Sequence, residues 1–383
     1  MHSHPDALIE AATSRAGVAD FDSSSFRDGL ALILSEMDRH QGMLPGARER
    51  LEAAAIGFLV NRLRISAYLR AHPETLDAPV QRPVFVFGMP RTGTTLVSNL
   101  LAQDPGRRTL RNWEAADTAP PAATGALLTD SRVADRRAQL ARANEAFPAL
   151  AAIHAEFADG PTECLSIHKQ DFRAMWWDAQ LPMPAYSEWM LGCDMVPAYA
   201  FEKRVLQILQ SSNAGSWQLK MPSHALHVHA LLRVFPDARL VWTHRDPFKA
   251  TGSFLSLVTA VSGCNAMPDP DFLRRTYPHQ LAEHVRRPMA IKRQLGEDRI
   301  HDVHYADLMR DPIGVMRRLY AQLGDPFTPE AEAGMRRWLD ENPQGKFGRH
   351  AYSLDQFGLT IGDLAPLFED YLDAYAVEPE GRS

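Results

Sequence analysis

Cysteine is scarce in this 383-residue chain: Cys164, Cys193 and Cys264 stand far apart and form no C-x-x-C pair. That excludes a disulfide framework and a zinc knuckle as organising devices, and leaves free thiols in a reducing compartment as the expectation. Also missing is any run approaching ~18 apolar residues, the length a membrane helix needs. The opening stretch Met1-His2-Ser3-His4-Pro5-Asp6 has no positive segment leading into an apolar one. A cytoplasmic protein with no membrane span is therefore expected. A basic excess is lacking too, since 41 Lys and Arg face 47 Asp and Glu for a net charge of −6. Nothing draws the whole chain toward nucleic acid or an anionic membrane, so any anion it binds must be held by local groups. Neither an internal repeat nor a low-complexity tract is present. What is plentiful is apolar material, 45% of residues, enough for a sizeable buried core without staples.

Periodicity divides the chain. Residues 1–80 read as a helical prefix. Asp22-Ser23-Ser24-Ser25 is a plausible cap before an apolar stripe with Leu30, Ile33, Leu34 and Met37, and a second stripe runs from Leu51 to Leu69. The expectation is that this prefix packs on the core rather than folding alone. From 81 to 383 the pattern is α/β. Val84-Phe85-Val86-Phe87 suits a buried parallel strand, and further strands are expected at 216–220, 238–243 and around 300–305. Helices are expected over 96–101, 225–234, 248–261 and 281–295, and again toward the C-terminus. Residues 112–210, rich in Ala, Pro and aromatics, read as a helical insertion and as the probable acceptor side. The fold class expected is a P-loop-type parallel sheet flanked by helices.

Between the first strand and its helix lies Gly88-Met89-Pro90-Arg91-Thr92-Gly93-Thr94-Thr95. A loop in that position turns backbone N–H groups and a helix N-terminus toward a bound anion, and phosphate is the expected guest. A nucleoside-triphosphate loop would read G-x-x-x-x-G-K-[ST], yet Thr94 holds the lysine position. That lysine is unnecessary if the donor has a single 5′-phosphate carrying the group to be moved. A P-loop kinase or NTPase would need it, together with a carboxylate holding Mg²⁺ at a strand end. His244-Arg245-Asp246 and Asp355-Gln356-Phe357-Gly358 mimic kinase triplets but lack the flanking pattern. His224, His227 and His229 do not share one helical face cleanly, so no metal is expected.

The segment Pro90-Arg91-Thr92-Gly93-Thr94-Thr95-Leu96 resembles the 5′-phosphosulfate loop of sulfotransferases that use 3′-phosphoadenosine 5′-phosphosulfate (PAPS). Leu240 to Pro247, continued to Ser253, resembles the same family's 3′-phosphate motif, a strand ending in Arg245 with Ser253 eight residues on. An arginine at a strand's carboxyl edge and a serine on the next helix can converge on one phosphate. The resemblance runs from about Pro83 to the C-terminus and is nearest to bacterial members with a helical prefix. Tyr305-Ala306-Asp307-Leu308 is similar to the segment whose tyrosine lies against the adenine. Asn342 to His350, with Lys346 and Arg349, resembles the late basic loop over the 3′-phosphate, although its spacing departs from the Arg-Lys-Gly form. The resemblance implies PAPS as co-substrate, a small-molecule hydroxyl acceptor, and Arg91, Thr92, Gly93, Thr94, Thr95, Arg245, Ser253, Tyr305, Lys346 and Arg349 as donor contacts. A nucleotide-binding protein that has lost the chemistry is the alternative.

Sulfonyl transfer to a hydroxyl needs a base for the acceptor's proton and cationic or N–H groups for the charge on the leaving oxygen. Lys220 ends a neighbouring strand, and in the family a lysine about two dozen residues before the 3′-phosphate arginine serves the bridging oxygen. Three residues compete as base. His224 offers an imidazole, which titrates near neutral pH. Glu114 lies about where protein-tyrosine sulfotransferases carry a catalytic glutamate. Glu163 ranks behind both. The aromatic stretch from Met175 to Trp189 lines either an apolar acceptor pocket or the core.

Overall fold

The computed structural model describes residues 4–148, 150, 156–296, 299–343 and 353–380. The chain forms two compact units. Unit 1 gathers residues 1–80, 110–214 and 258–269, and unit 2 gathers 81–109, 215–257 and 270–383. Among the described residues no helix is long and apolar enough to cross a membrane.

Unit 2 carries a five-stranded parallel sheet: β1 (Val84–Gly88), β2 (Arg107–Thr109), β3 (Ser216–Lys220), β4 (Arg239–His244) and β5 (Ile300–His304). Their order across the sheet is β2-β3-β1-β4-β5. β1 is central because it can be buried on both faces, and its β-branched and aromatic residues suit that pleated position. Val84 and Val86 face Val97, Leu100 and Leu101 of the helix Thr94–Leu101, together with Val241, Val303 and the helix Pro312–Leu323. Phe85 and Phe87 point the other way, Phe85 onto the rings of His224 and Phe235, Phe87 onto Trp242. Each such side chain contributes about 1.5–3 kcal/mol by leaving water, so Phe85→Ala would break the layer first. From β1 the chain passes to β2 at one edge, returns through β3, and then crosses to β4 and β5 on the other side of β1. This is a topological switch point, where ligands collect beyond the strands' carboxyl ends.

The expected strands are present with a residue or two of adjustment, and β2 is an addition. The expected helix at 281–295 begins earlier, at Pro270, with Pro278 and Pro288 inside it. Where one helix was expected over 225–234, a 3-10 turn Pro222–Leu226 precedes the helix Val228–Val234, the break falling at His227 with φ −136°.

Unit 1 is helical. The prefix helices Pro5–Ala16, Phe26–Arg39 and Ala47–Ala71 share it with the insertion helices, among them Ser131–Ala146 and Val196–Gln210. A buried polar seam joins prefix to insertion. Arg62 donates to Asp171 at 2.7 Å, Arg173 donates to the other oxygen of Asp171 at 2.7 Å, and Asn61 donates to Gln170 at 2.9 Å. The Arg62 guanidinium also lies 4.1 Å from the Phe201 ring centroid. These partners make burial of two guanidiniums tolerable, since an unpaired charge there would be strongly destabilising.

Candidate active site

The loop after β1 is fixed by steric and hydrogen-bond detail. Gly88 approaches β4 so closely that a Cβ there would stand 2.5 Å from the Thr243 hydroxyl and 2.6 Å from its carbonyl oxygen, so only glycine fits. Thr92 is fully buried; its hydroxyl donates to the Met89 carbonyl at 2.6 Å and lies 2.6 Å from the Thr243 hydroxyl. The Thr92 side chain thus ties the loop to β4. Gly93, at φ +97°, starts the helix Thr94–Leu101. Thr94 is buried and Thr95 exposed.

Arg91 adopts φ +70°. A non-glycine residue in that region costs on the order of 1–3 kcal/mol and persists only where its surroundings over-determine it. Here both ends are held: the Arg91 Nε donates to the Ser253 hydroxyl at 3.0 Å, and the Arg91 carbonyl accepts from Arg245 at 2.8 Å. The loop residues and the proposed 3′-phosphate pair, far apart in sequence, therefore meet at one place at the carboxyl end of β1 and β4.

Asp246 explains how β4 hands over to the next helix. Its carboxylate accepts from the backbone of Phe248 at 2.8 Å and Lys249 at 3.3 Å, capping Pro247–Ser262, which carries Ser253. The Arg245 guanidinium lies 4.1 Å from the Tyr305 ring centroid, and a Cβ on Gly93 would come 3.0 Å from the same ring. Tyr305 thus sits against both the loop and the arginine. A contact that sequence reasoning missed completes this corner: Arg245 donates to the two carboxylate oxygens of Glu380, at 2.6 and 2.9 Å. Lys346 and Arg349 lie outside the described residues.

Thr94 stands where a nucleoside-triphosphate loop has its lysine, and a lysine reaches the loop from β3 instead. Lys220 pairs in register with Val86, and the next backbone N–H, of Met221, donates to the Val86 carbonyl at 3.2 Å. From there the Lys220 ammonium donates to the Thr95 hydroxyl at 3.3 Å. His224, four residues on, is fully buried with its ring edge-on to Phe85 at 5.0 Å. Glu114 and Glu163 belong to unit 1. The Glu114 carboxylate is buried and accepts from the Arg111 backbone N–H at 3.3 Å, while Glu163 is half-buried.

Beneath Arg245 lies a second network that sequence reasoning did not assign. His244 is hydrogen-bonded to Asp302 at 3.0 Å and to the Tyr371 hydroxyl at 3.2 Å, and Lys292 pairs with Asp302. Burial pushes the His244 imidazole down to about 4 despite Asp302, so it is neutral at pH 7. Burial alone would raise the Asp302 carboxyl, but hydrogen bonds from His244 and Lys292 bring it below the ordinary value.

In the insertion, Trp177 and Tyr186 are fully buried and belong to the core, whereas Trp176 is half-buried. The Lys169 ammonium lies 5.2 Å from the Phe58 ring centroid and 5.3 Å from that of Trp176. Burial pushes its pKa down to about 8.

A parallel sheet with a phosphate loop at its switch point, arginines gathered over that loop and a lysine from the next strand defines an α/β protein of the phosphate-loop class. Residues 83–329 match the model of the sulfotransferase family, and the chain belongs to that family. The crystal structure of sulfotransferase STF9 from Mycobacterium avium superposes with a TM-score of 0.92 at 43% identity, covering 100% of this chain and 99% of that one. Sulfotransferase STF1 from Mycobacterium tuberculosis H37Rv gives 0.86 at 26% identity, covering 96% and 99%. Among curated proteins, the omega-hydroxy-beta-dihydromenaquinone-9 sulfotransferase Stf3 of Mycobacterium bovis is 25% identical over 168 residues. That match spans 42% of the length of this chain and 42% of the relative's.

Proposed function

We propose that the chain transfers a sulfonate group from PAPS to a hydroxyl on a small-molecule acceptor, releasing a sulfate ester and adenosine 3′,5′-bisphosphate. The observation that carries this reading is the convergence of Arg91, Ser253 and Arg245 over one phosphate loop, linked by bonds of 3.0 and 2.8 Å. In the proposed mechanism the loop amides and Arg91 hold the 5′-phosphosulfate, and Arg245 with Ser253 takes the 3′-phosphate. Tyr305 is proposed to lie against the adenine, and Lys346 and Arg349 to contact the 3′-phosphate.

The acceptor oxygen attacks sulfur in line as the bond from sulfur to the bridging oxygen breaks. Its proton passes to the base, for which Glu114 and His224 are the proposed candidates, ahead of Glu163. Lys220 stabilises the negative charge that gathers on the leaving phosphate oxygen. The Stf3 relative is named for a hydroxylated dihydromenaquinone acceptor, and the same broad class, a small molecule bearing a hydroxyl, is proposed here.

Two measurements test this. Adenosine 3′,5′-bisphosphate should raise the melting temperature well above the effect of ATP with Mg²⁺, because only a ligand held by the native state shifts unfolding. The reverse order would favour a kinase-like NTPase. Sulfonate transfer to a panel of alcohols and phenols should be lost in Arg91→Ala and Lys220→Ala. Transfer undiminished in both would refute the residue roles, and no transfer by the wild type to any acceptor, with tight bisphosphate binding, would favour a protein that binds the nucleotide without the chemistry. Glu114→Gln and His224→Asn, assayed side by side, identify the base as the one whose loss removes turnover while bisphosphate binding is kept.

A further inference from the structure

In the structure the guanidinium proposed to grip the donor's 3′-phosphate already holds an anion of the protein's own. The Arg245 Nε and one terminal nitrogen donate to the two oxygens of Glu380 at 2.6 and 2.9 Å. This is the side-by-side geometry an arginine offers equally to a carboxylate or a phosphate. The contact is fixed from behind as well. The Glu380 backbone N–H donates to Asp246 at 2.7 Å, and the helix Ile361–Tyr375, five residues earlier, is held at β4 through Tyr371 and His244. A third N–H of its five is donated to the Arg91 carbonyl. A phosphate seeking the edge formed by Nε and that terminal nitrogen of the Glu380 pair therefore meets Glu380 already there.

We propose that Glu380 is an internal competitor of the donor: its carboxylate engages the edge of Arg245 proposed to grip the 3′-phosphate and must leave before a nucleotide 3′-phosphate can bind there. The proposal rests on the donor reading given above. It makes Glu380 a determinant of affinity for nucleotides bearing a 3′-phosphate, with no effect on those lacking one. The Glu380 side chain is 37% exposed, so screening limits the effect. A partly exposed pair of this kind corresponds to about a three- to tenfold change in affinity.

The test is calorimetric titration of the full chain with adenosine 3′,5′-bisphosphate and with adenosine 5′-monophosphate, in wild type, Glu380→Gln, Glu380→Ala and Arg245→Ala. The expected result is about three- to tenfold tighter bisphosphate binding in both Glu380 variants, a difference that shrinks at high salt, with monophosphate affinity unchanged. Arg245→Ala should bring the bisphosphate down to the monophosphate's level. If the wild type and Arg245→Ala behave so but the Glu380 variants match wild type, the competitor role is overturned and the donor reading stands. Tighter binding of both nucleotides in the Glu380 variants also overturns it, since the gain would not belong to the 3′-phosphate. If the bisphosphate binds no better than the monophosphate in every variant, both fall.

Discussion

In unit 2 Arg91, Arg245, Ser253 and Lys220 gather at the carboxyl end of the sheet, around a loop whose backbone is strained at Arg91. In unit 1 the ionic group of Arg62 with Asp171 and Arg173 is sealed inside, the Arg62 side chain at 1% exposure and Asp171 at 0%. Both arrangements gather guanidiniums, yet they differ in what is left to do. Around Asp171 the partners are all internal and tie prefix to insertion, so the grouping serves the fold. Around Arg91 and Arg245 the partners include a backbone carbonyl, one serine and a partly exposed glutamate, which an incoming phosphate would replace in the proposed reading. Burial with internal partners marks the cluster that serves the fold, and partial exposure with exchangeable partners marks the one proposed to bind the donor.

The contrast breaks most visibly at Asp171. Asp171→Ala leaves two buried guanidiniums without their carboxylate and should destabilise the protein by about 3–5 kcal/mol, read by chemical denaturation. A loss under ~1 kcal/mol would mean the seam is not what joins prefix to insertion. In unit 2 the opposite pattern is expected. Lys220→Ala should lower kcat by about 10²–10³-fold, the scale for losing one preorganised charge-stabilising donor, while the melting temperature stays near wild type. A variant that melts early and keeps its turnover would invert the comparison.

His244 belongs to unit 2 yet is buried like the groups of unit 1, and pH sharpens the distinction. Its ordinary value is 6.5 and its folded value about 4, with His284 lowered in the same way. Below pH 6.5 the unfolded chain binds protons that the folded chain refuses, so stability falls as the pH drops from about 6.5 to about 4. His244 alone should account for on the order of 3 kcal/mol of that fall. His244→Asn should make the slope of unfolding free energy against pH shallower by about one proton over this window. An unchanged slope would show that the imidazole is not held neutral. Smallest of all, Thr92→Val removes the hydroxyl shared with Met89 and Thr243 and should cost about 1 kcal/mol in thermal unfolding.

Much of unit 2 was legible in the sequence because its signals are local. Val84 to Phe87 is apolar without interruption, the loop follows at once, and Arg245 and Ser253 stand at the end of a strand and on the next helix. β2 escaped because Arg107-Arg108-Thr109 looks like surface. Arg107 donates to Asp325 at 2.7 Å and to Tyr320 at 3.0 Å, and Arg108 stacks 4.8 Å from the Trp217 centroid, all partners distant in sequence. Pro278 hid the first turns of the helix Pro270–Leu295 because proline usually marks a boundary. Nothing local announces φ +70° at Arg91, and Glu380 reaches Arg245 across 135 residues. In unit 1 the helices could be read from their stripes, but the pairing of Arg62 with Asp171 bridges 109 positions and leaves no periodic trace.

The most direct test of the donor site is a crystal structure with adenosine 3′,5′-bisphosphate bound. One nucleotide is expected, with its 5′-phosphate on the amides of Arg91 to Thr95 and its 3′-phosphate on Arg245 and Ser253. A nucleotide bound elsewhere, or bound through only one of these groups, would contradict the donor reading.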